Sequence, residues 1–166
     1  MIEINNLTTN QINESFLKKV AKAVLGGEES KLSSSPFVKT RELKEDKSSF
    51  RPFVRTREAE KKGKTELSIA LVGQGKIREL NKKYRGKNQA TDVLAFSEKE
   101  IGLGEIVICL REVKKNAKRF GSKFEKELAQ VLIHGILHLL GYNHKKSEVE
   151  AKEMEKKENY YLNLVK

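Results

Sequence analysis

The segment Val131-Leu132-Ile133-His134-Gly135-Ile136-Leu137-His138-Leu139-Leu140 is apolar nearly all round, yet it carries two histidines. A helix of that composition is buried, and a buried imidazole needs a partner. All three histidines of the chain fall within HGILHLLGYNH, residues 134 to 144. His134 and His138 are four apart, which places both rings on one helix face a single turn apart. Gly141 supplies the helix stop. The chain can then turn through Tyr142-Asn143 and return His144 as a third ligand, leaving one tetrahedral position open, the mark of a catalytic rather than a structural zinc site. One histidine on an apolar helix reads most simply as a core residue satisfied by a carbonyl or carboxylate; three in one short run favour a metal. Residue 135 is glycine where helical zinc proteases carry their glutamate, so a peptidase is disfavoured. The cluster is too compact for a two-metal nuclease. Three neutral nitrogens without carboxylates suit zinc, nickel or copper rather than magnesium, and zinc is the conservative choice.

A chain of 166 residues fits one domain with a modest core. Its formal net charge of +11, with 34% charged residues, favours polyanionic partners, nucleic acid first; a lysine-rich surface kept for solubility accounts for charge alone equally well. The single cysteine, Cys109, lies in an apolar run, which excludes an internal disulfide and suggests a buried, inert thiol. No basic region followed by an apolar stretch opens the chain, and no run approaches the length of a membrane span. A soluble cytosolic protein is the expectation.

Residues 1 to 7 suggest a first strand. From Ile12 to Leu25 the apolar positions follow helical spacing, stopped by Gly26-Gly27. Residues 28 to 64 hold both prolines, six serines and eleven basic against seven acidic side chains. That composition reads as a flexible basic insert. It contains a duplication, Pro36-Phe37-Val38-Lys39-Thr40-Arg41-Glu42 returning as Pro52-Phe53-Val54-Arg55-Thr56-Arg57-Glu58. The duplication is either a solvated tandem repeat, the simpler reading, or a basic arm that touches RNA or the ribosome. Leu67 to Val72 reads as a strand, Gly73 opens a helix bearing Ile77 and Leu80, and YRGKNQAT is a loop. Val93 to Phe96 and Ile106 to Leu110 read as strands. A basic helix runs to about Phe120, and a second from about Lys123 to Leu140 with Ser122 as N-cap and Glu125 three residues on. Ser147 and Glu150 cap a final helix whose apolar residues include Val149, Met154 and Leu162. The expected fold is α/β (α+β): a single layered domain, a mixed four-stranded sheet packed with about five helices, and a metal site on a buried helix and its following loop. Residues 1–27 supply the first strand and helix, 28–64 the insert, and 65–166 the main body.

The chain resembles the YbeY-type endoribonucleases that mature ribosomal RNA in bacteria. The resemblance runs through LNKKYRGK (80 to 87), TDVLAF (91 to 96), LGEIVIC (103 to 109) and HGILHLLGYNH (134 to 144), in the family's order, and more weakly into EAKEMEK (150 to 156). It spans about residues 66 to 160, with an expected strand and helix at the start; no counterpart of the duplicated insert is recognised in the sequence. It implies one zinc ion on His134, His138 and His144, selective cleavage of single-stranded RNA, and roles in small-subunit rRNA end processing and ribosome quality control. The arginine of the family's YRGK segment is tied to RNA cleavage, and that position here is Arg85. Three departures stand out: Asn143 replaces the usual aspartate beside the third ligand, Ala95 a common serine, and Glu105 a common aspartate.

Arg85 would grip a phosphate in a fork and stabilise charge developing on its oxygens, with Lys82, Lys83 and Lys87 as neighbouring phosphate contacts. Lys114, Lys115, Lys118, Arg119, Lys123 and Lys126 either extend that basic funnel or form a solvated helix face. No general base accompanies the histidines, so water or the RNA's own 2′-hydroxyl can be the nucleophile, the latter leaving DNA inert; Asp92 and Glu105 are candidates for the base. Two other classes fit the same residues: a hydrolase of a small ester or amide, and a non-catalytic ribosome-assembly factor with a structural metal.

Overall fold

A computed structural model describes residues 1–28, 67–97, 103–144 and 147–165. The described chain runs β1 (Ile2–Asn6), α1 (Glu14–Gly27), β2 (Leu67–Val72), α2 (Gln74–Arg85), β3 (Val93–Ser97), β4 (Gly104–Cys109), α3 (Leu110–Arg119), α4 (Phe124–Leu139) and α5 (Glu148–Leu164). The sheet order is β1-β2-β4-β3. β1 and β2 are parallel, as are β2 and β4, while β3 returns antiparallel to β4. This is the expected mixed four-stranded sheet with five helices among the described residues. The duplicated segment lies outside them. No helix of the described residues is long and apolar enough to cross a membrane.

Strand side chains alternate between faces, and β2 and β4 are apolar on both. Leu67, Ile69 and Leu71 join Ile106 and Ile108 in the larger core under α1 and α4. Ala70, Val72, Val107 and Cys109 face the other way, under Ile77 and Leu80 of α2. That sandwich explains why LSIALV reads as a continuous apolar run rather than an alternating one. Cys109 is fully buried, as expected, and burial pushes its thiol above the usual range.

Helix α4 is the centre of the larger core, with Leu132, Ile133, Ile136 and Leu137 completely buried. Gly135 lets it lie close to the sheet: a Cβ there would stand 3.1 Å from Ile106 Cγ2 and 3.4 Å from Val93 Cγ2. The position that carries a glutamate in zinc proteases therefore faces β3 and β4 here, where a long polar side chain has no room.

One expectation needs correction. Ser122 is not the N-cap of α4; Lys123 occupies that position without a side-chain cap. The reason lies in the preceding helix. Gly121, at φ 62°, and the Ser122 N–H, which donates to Ala117 O at 2.8 Å, close α3 in a left-handed terminal motif that commits Ser122 backwards. Of the apolar residues of the final helix, Val149 is 76% exposed while Met154 is buried, with Tyr161 buried beside it. The final helix does begin as expected, with Ser147 Oγ accepting from Glu150 N–H at 3.2 Å.

Glu28, the first residue of the expected insert, is 3% exposed and belongs to the core. Tyr142 Oη donates to its Oε2 at 2.8 Å, while Tyr161 Oη and Lys157 Nζ donate to its Oε1 at 2.7 and 2.6 Å. One carboxylate thus ties the end of α1 to the loop after α4 and to α5. Burial alone would raise its pKa, but the bonds from Lys157, Tyr161 and Tyr142 outweigh it and hold the carboxyl below its ordinary value. Burial and the same carboxylate push the Tyr142 phenol up to about 12. A depressed carboxyl pKa stabilises the fold above the unfolded-chain pKa and loses that contribution as pH falls through the folded value. Glu28→Gln is therefore expected to cost about 2–4 kcal/mol at neutral pH. In urea titrations across pH, the gap to wild type should narrow as the medium is acidified below about pH 4; a pH-independent gap would contradict this account.

Candidate metal centre and catalytic cleft

The site grows out of the end of α4. Gly141, at φ 92°, turns the chain, with its N–H bonded to His138 O at 3.1 Å and the Tyr142 N–H to Leu137 O at 3.0 Å. This closure reverses the direction of the backbone within one turn. It points Tyr142 O back at His138, and carries His144 over the two helical histidines. One ring nitrogen from each of His134, His138 and His144 lies within 4.8 Å of the others. The ring centroids are 4.5 Å (His134–His138), 5.4 Å (His134–His144) and 5.1 Å (His138–His144) apart. The three residues singled out in the sequence therefore converge.

Their outer nitrogens decide what the cluster can hold. His138 Nδ1 lies 3.0 Å from Tyr142 O, and a carbonyl can only accept, so Nδ1 carries the proton. His134 Nδ1 lies 2.7 Å from Glu158 Oε1 and likewise donates to an ionised carboxylate. Both Nε2 atoms are then bare lone pairs in the neutral rings, and they face each other at 3.0 Å. Two lone pairs at that distance repel unless something positive sits between them. A proton on His138 does not serve at neutral pH: burial, and next the neighbouring His134, push that ring down to about 4. A cation does. Ligand bonds of about 2.0–2.1 Å at a tetrahedral angle put two nitrogens about 3.3 Å apart, close to the spacing already present. His134 and His138 already stand at metal-ligand spacing with His144 beside them, and Glu158 and Tyr142 O are the kind of outer partner that fixes ligand tautomers in such sites.

The histidines open into a cleft of about 500 Å³ whose wall also includes Arg85, Asp92, Ala95 and Asn143. Arg85 is the last residue of α2, which Gly86 ends at φ 69°. The helix end is held by Asn81 Nδ2, donating to Gln89 O at 2.8 Å, and by the Tyr84 ring edge-on to Phe96 of β3 at 5.2 Å. Arg85 thereby faces the histidines, close enough for its charge to help depress His138. Lys82, Lys83 and Lys87 are exposed on the same helix end and do not line the cleft.

Neither general-base candidate is placed to act as one. Asp92 lines the cleft, but its Oδ1 accepts from Val93 N–H at 2.8 Å and its Oδ2 from Asn116 Nδ2 at 3.1 Å, so it fastens β3 to α3. Glu105 shares the sheet face of Val107 and Cys109, opposite α4. Sequence reasoning missed Glu158: it lies among four other glutamates of α5, and only its helical register relative to the buried Met154 and Tyr161 distinguishes it. Glu158→Ala is expected to weaken Zn²⁺ affinity about 10–100-fold, measured by competition with a chromophoric chelator, with Glu158→Gln recovering part of the loss. Equal affinity in all three proteins would contradict the role given to this carboxylate.

Residues 36–166 match the family model described as Endoribonuclease YbeY. Two curated proteins named Endoribonuclease YbeY are similar to this chain. That from Thermotoga neapolitana is 45% identical over 103 residues, covering 62% of this chain and 69% of its own length. That from Thermodesulfovibrio yellowstonii is 45% identical over 106 residues, covering 60% and 67%. The solution structure of TM1509 from Thermotoga maritima superposes with a TM-score of 0.59 at 30% identity, covering 99% of this chain and 89% of that one. With that match over most of its length and the histidine cluster at its centre, the chain belongs to the YbeY endoribonuclease family.

Proposed function

We propose that the chain is a zinc-dependent endoribonuclease that cuts single-stranded RNA, with ribosomal RNA as its substrate in the cytoplasm and the small ribosomal subunit as its partner. The observation that carries the reading is one cleft lined by three convergent imidazoles and a guanidinium. Three nitrogens with no carboxylate among them favour zinc over magnesium or calcium. A cation held there would supply a Lewis acid and an acidified water at neutral pH.

The chain's own groups do the rest. His134 and His138 are held in their ligating tautomers by Glu158 and Tyr142 O. Arg85 offers two parallel N–H donors to the scissile phosphate, and its charge opposes the one that develops on the phosphoryl oxygens. Asn81 and Tyr84 pin the helix end that bears Arg85, which fixes where the side chain enters the cleft. The net charge of +11 adds long-range attraction for the strand. Ribosomal RNA and a role in ribosome quality control rest on family membership.

Arg85→Ala is expected to lower cleavage of a single-stranded RNA about 100–1,000-fold while zinc content stays at the wild-type value. Equal cleavage by the variant and wild type would remove Arg85 from the mechanism. Turnover of a simple ester with no cutting of any RNA would replace the ribonuclease reading by a small-molecule hydrolase.

A further inference from the structure

A second cavity, of about 400 Å³, adjoins the cleft on the far side of His134; besides His134 and Glu158 it is lined by Glu127, Gln130, Arg119 and Phe120, which have no part in the chemistry above. Its floor is the α4 stripe Glu127, Gln130, Val131 and His134, which share one helix face by their spacing. Glu127 is the unusual member. It is 7% exposed, and among the described residues its carboxylate has no hydrogen bond or ion pair, although its side chain lines the cavity. A carboxylate so placed, open to the cavity and engaged by no donor among the described residues, is available to the donors of a ligand. Burial, then the charge of Asp92, raises its pKa. At the rim, Phe120 keeps its ring 65% exposed, with the Arg119 guanidinium 5.5 Å from the ring centroid.

The chemistry of the lining narrows the occupant. Asp92, Glu127 and Glu158 all border the cavity, so an anion such as phosphate is repelled. A second metal ion is not favoured either: among the described residues the histidine triad forms the one group whose ligand atoms approach closely enough. What fits is a neutral, flat, donor-bearing molecule: a nucleobase, stacked at an exposed aromatic ring and hydrogen-bonded along its pairing edge, the mode by which unpaired RNA is read. Of the four RNA bases, guanine alone presents two adjacent donors, N1–H and the N2 amine, matching the two oxygens of one carboxylate.

We infer that this cavity is a base-recognition subsite in which Glu127 accepts from the pairing edge of an unpaired guanine flanking the scissile phosphate, stacked beside Phe120. The inference rests on the ribonuclease reading for the identity of the strand. The subsite shares Asp92, Val93 and His134 with the cleft, so a base seated there belongs to a nucleotide adjoining the one held by Arg85. Glu127 is a specificity residue, with no role in bond breaking.

Two measurements test it with the full chain. In the first, ¹⁵N-labelled, zinc-loaded protein is titrated with GMP, IMP and AMP. GMP should shift the amides of Glu127, Gln130 and Phe120, and IMP, which lacks the N2 amine, should bind at least about tenfold more weakly, the loss of one hydrogen bond to a charged acceptor. In the second, wild type and Glu127→Gln cut single-stranded RNAs carrying one guanosine or one inosine. The wild-type preference for guanosine should fall to a ratio near one in the variant. A residue needed only for folding would lower both rates and leave the ratio intact. Phe120→Ala, at an exposed position, should weaken GMP binding severalfold. Equal binding of GMP and IMP, or an unchanged ratio in Glu127→Gln, overturns the inference. Binding of GMP at these amides by a protein that cuts no RNA would uphold the subsite and overturn the ribonuclease reading.

Discussion

Two bare imidazole nitrogens, one helical turn apart, face each other across 3.0 Å. Their protons have been drawn to the outer sides of the rings by a carboxylate and a backbone carbonyl. That arrangement is repulsive on its own, and a buried helix holds it in place. The cost is carried by a core in which α4 contributes ten buried residues, and by Gly135, whose missing side chain lets the helix rest on β4. Metal binding relieves the repulsion, so the cation acts on stability as well as on chemistry.

The elements around α4 serve this geometry in different ways. The closure at Gly141 returns Tyr142 O to His138 and delivers His144. Glu28 bonds the Tyr142 hydroxyl and, through Tyr161 and Lys157, the helix that bears Glu158. A single buried carboxylate thereby braces both outer partners of the metal ligands. From the other sheet face, α2 ends where its last side chain, Arg85, reaches round to the cleft. The candidate site is thus assembled from both layers of the molecule, with β3 between them.

Much of this was legible in the sequence, for local reasons. Four-residue spacing on an apolar helix and a following glycine are enough to bring His134, His138 and His144 together, and the four strands follow from short β-branched runs between turn residues. The unread residues all depend on partners distant in sequence. Glu28 acts through Tyr142, Lys157 and Tyr161, more than a hundred positions away, and in the sequence it opens a polar, serine-rich stretch. Glu105 and its neighbour Ile106 point to opposite faces of a strand that is apolar on both, so alternation could not say which side faces α4. Ser122 followed the rule for an N-cap, but Gly121 had already engaged it in closing the preceding helix.

The central claim is that three histidines hold one cation with a position left open. Native mass spectrometry of the purified chain titrated with zinc measures this directly, with His138→Ala beside it. The account predicts one tightly held equivalent in wild type and loss of it in the variant. Full retention of zinc by His138→Ala, or failure of wild type to hold an equivalent, would contradict it.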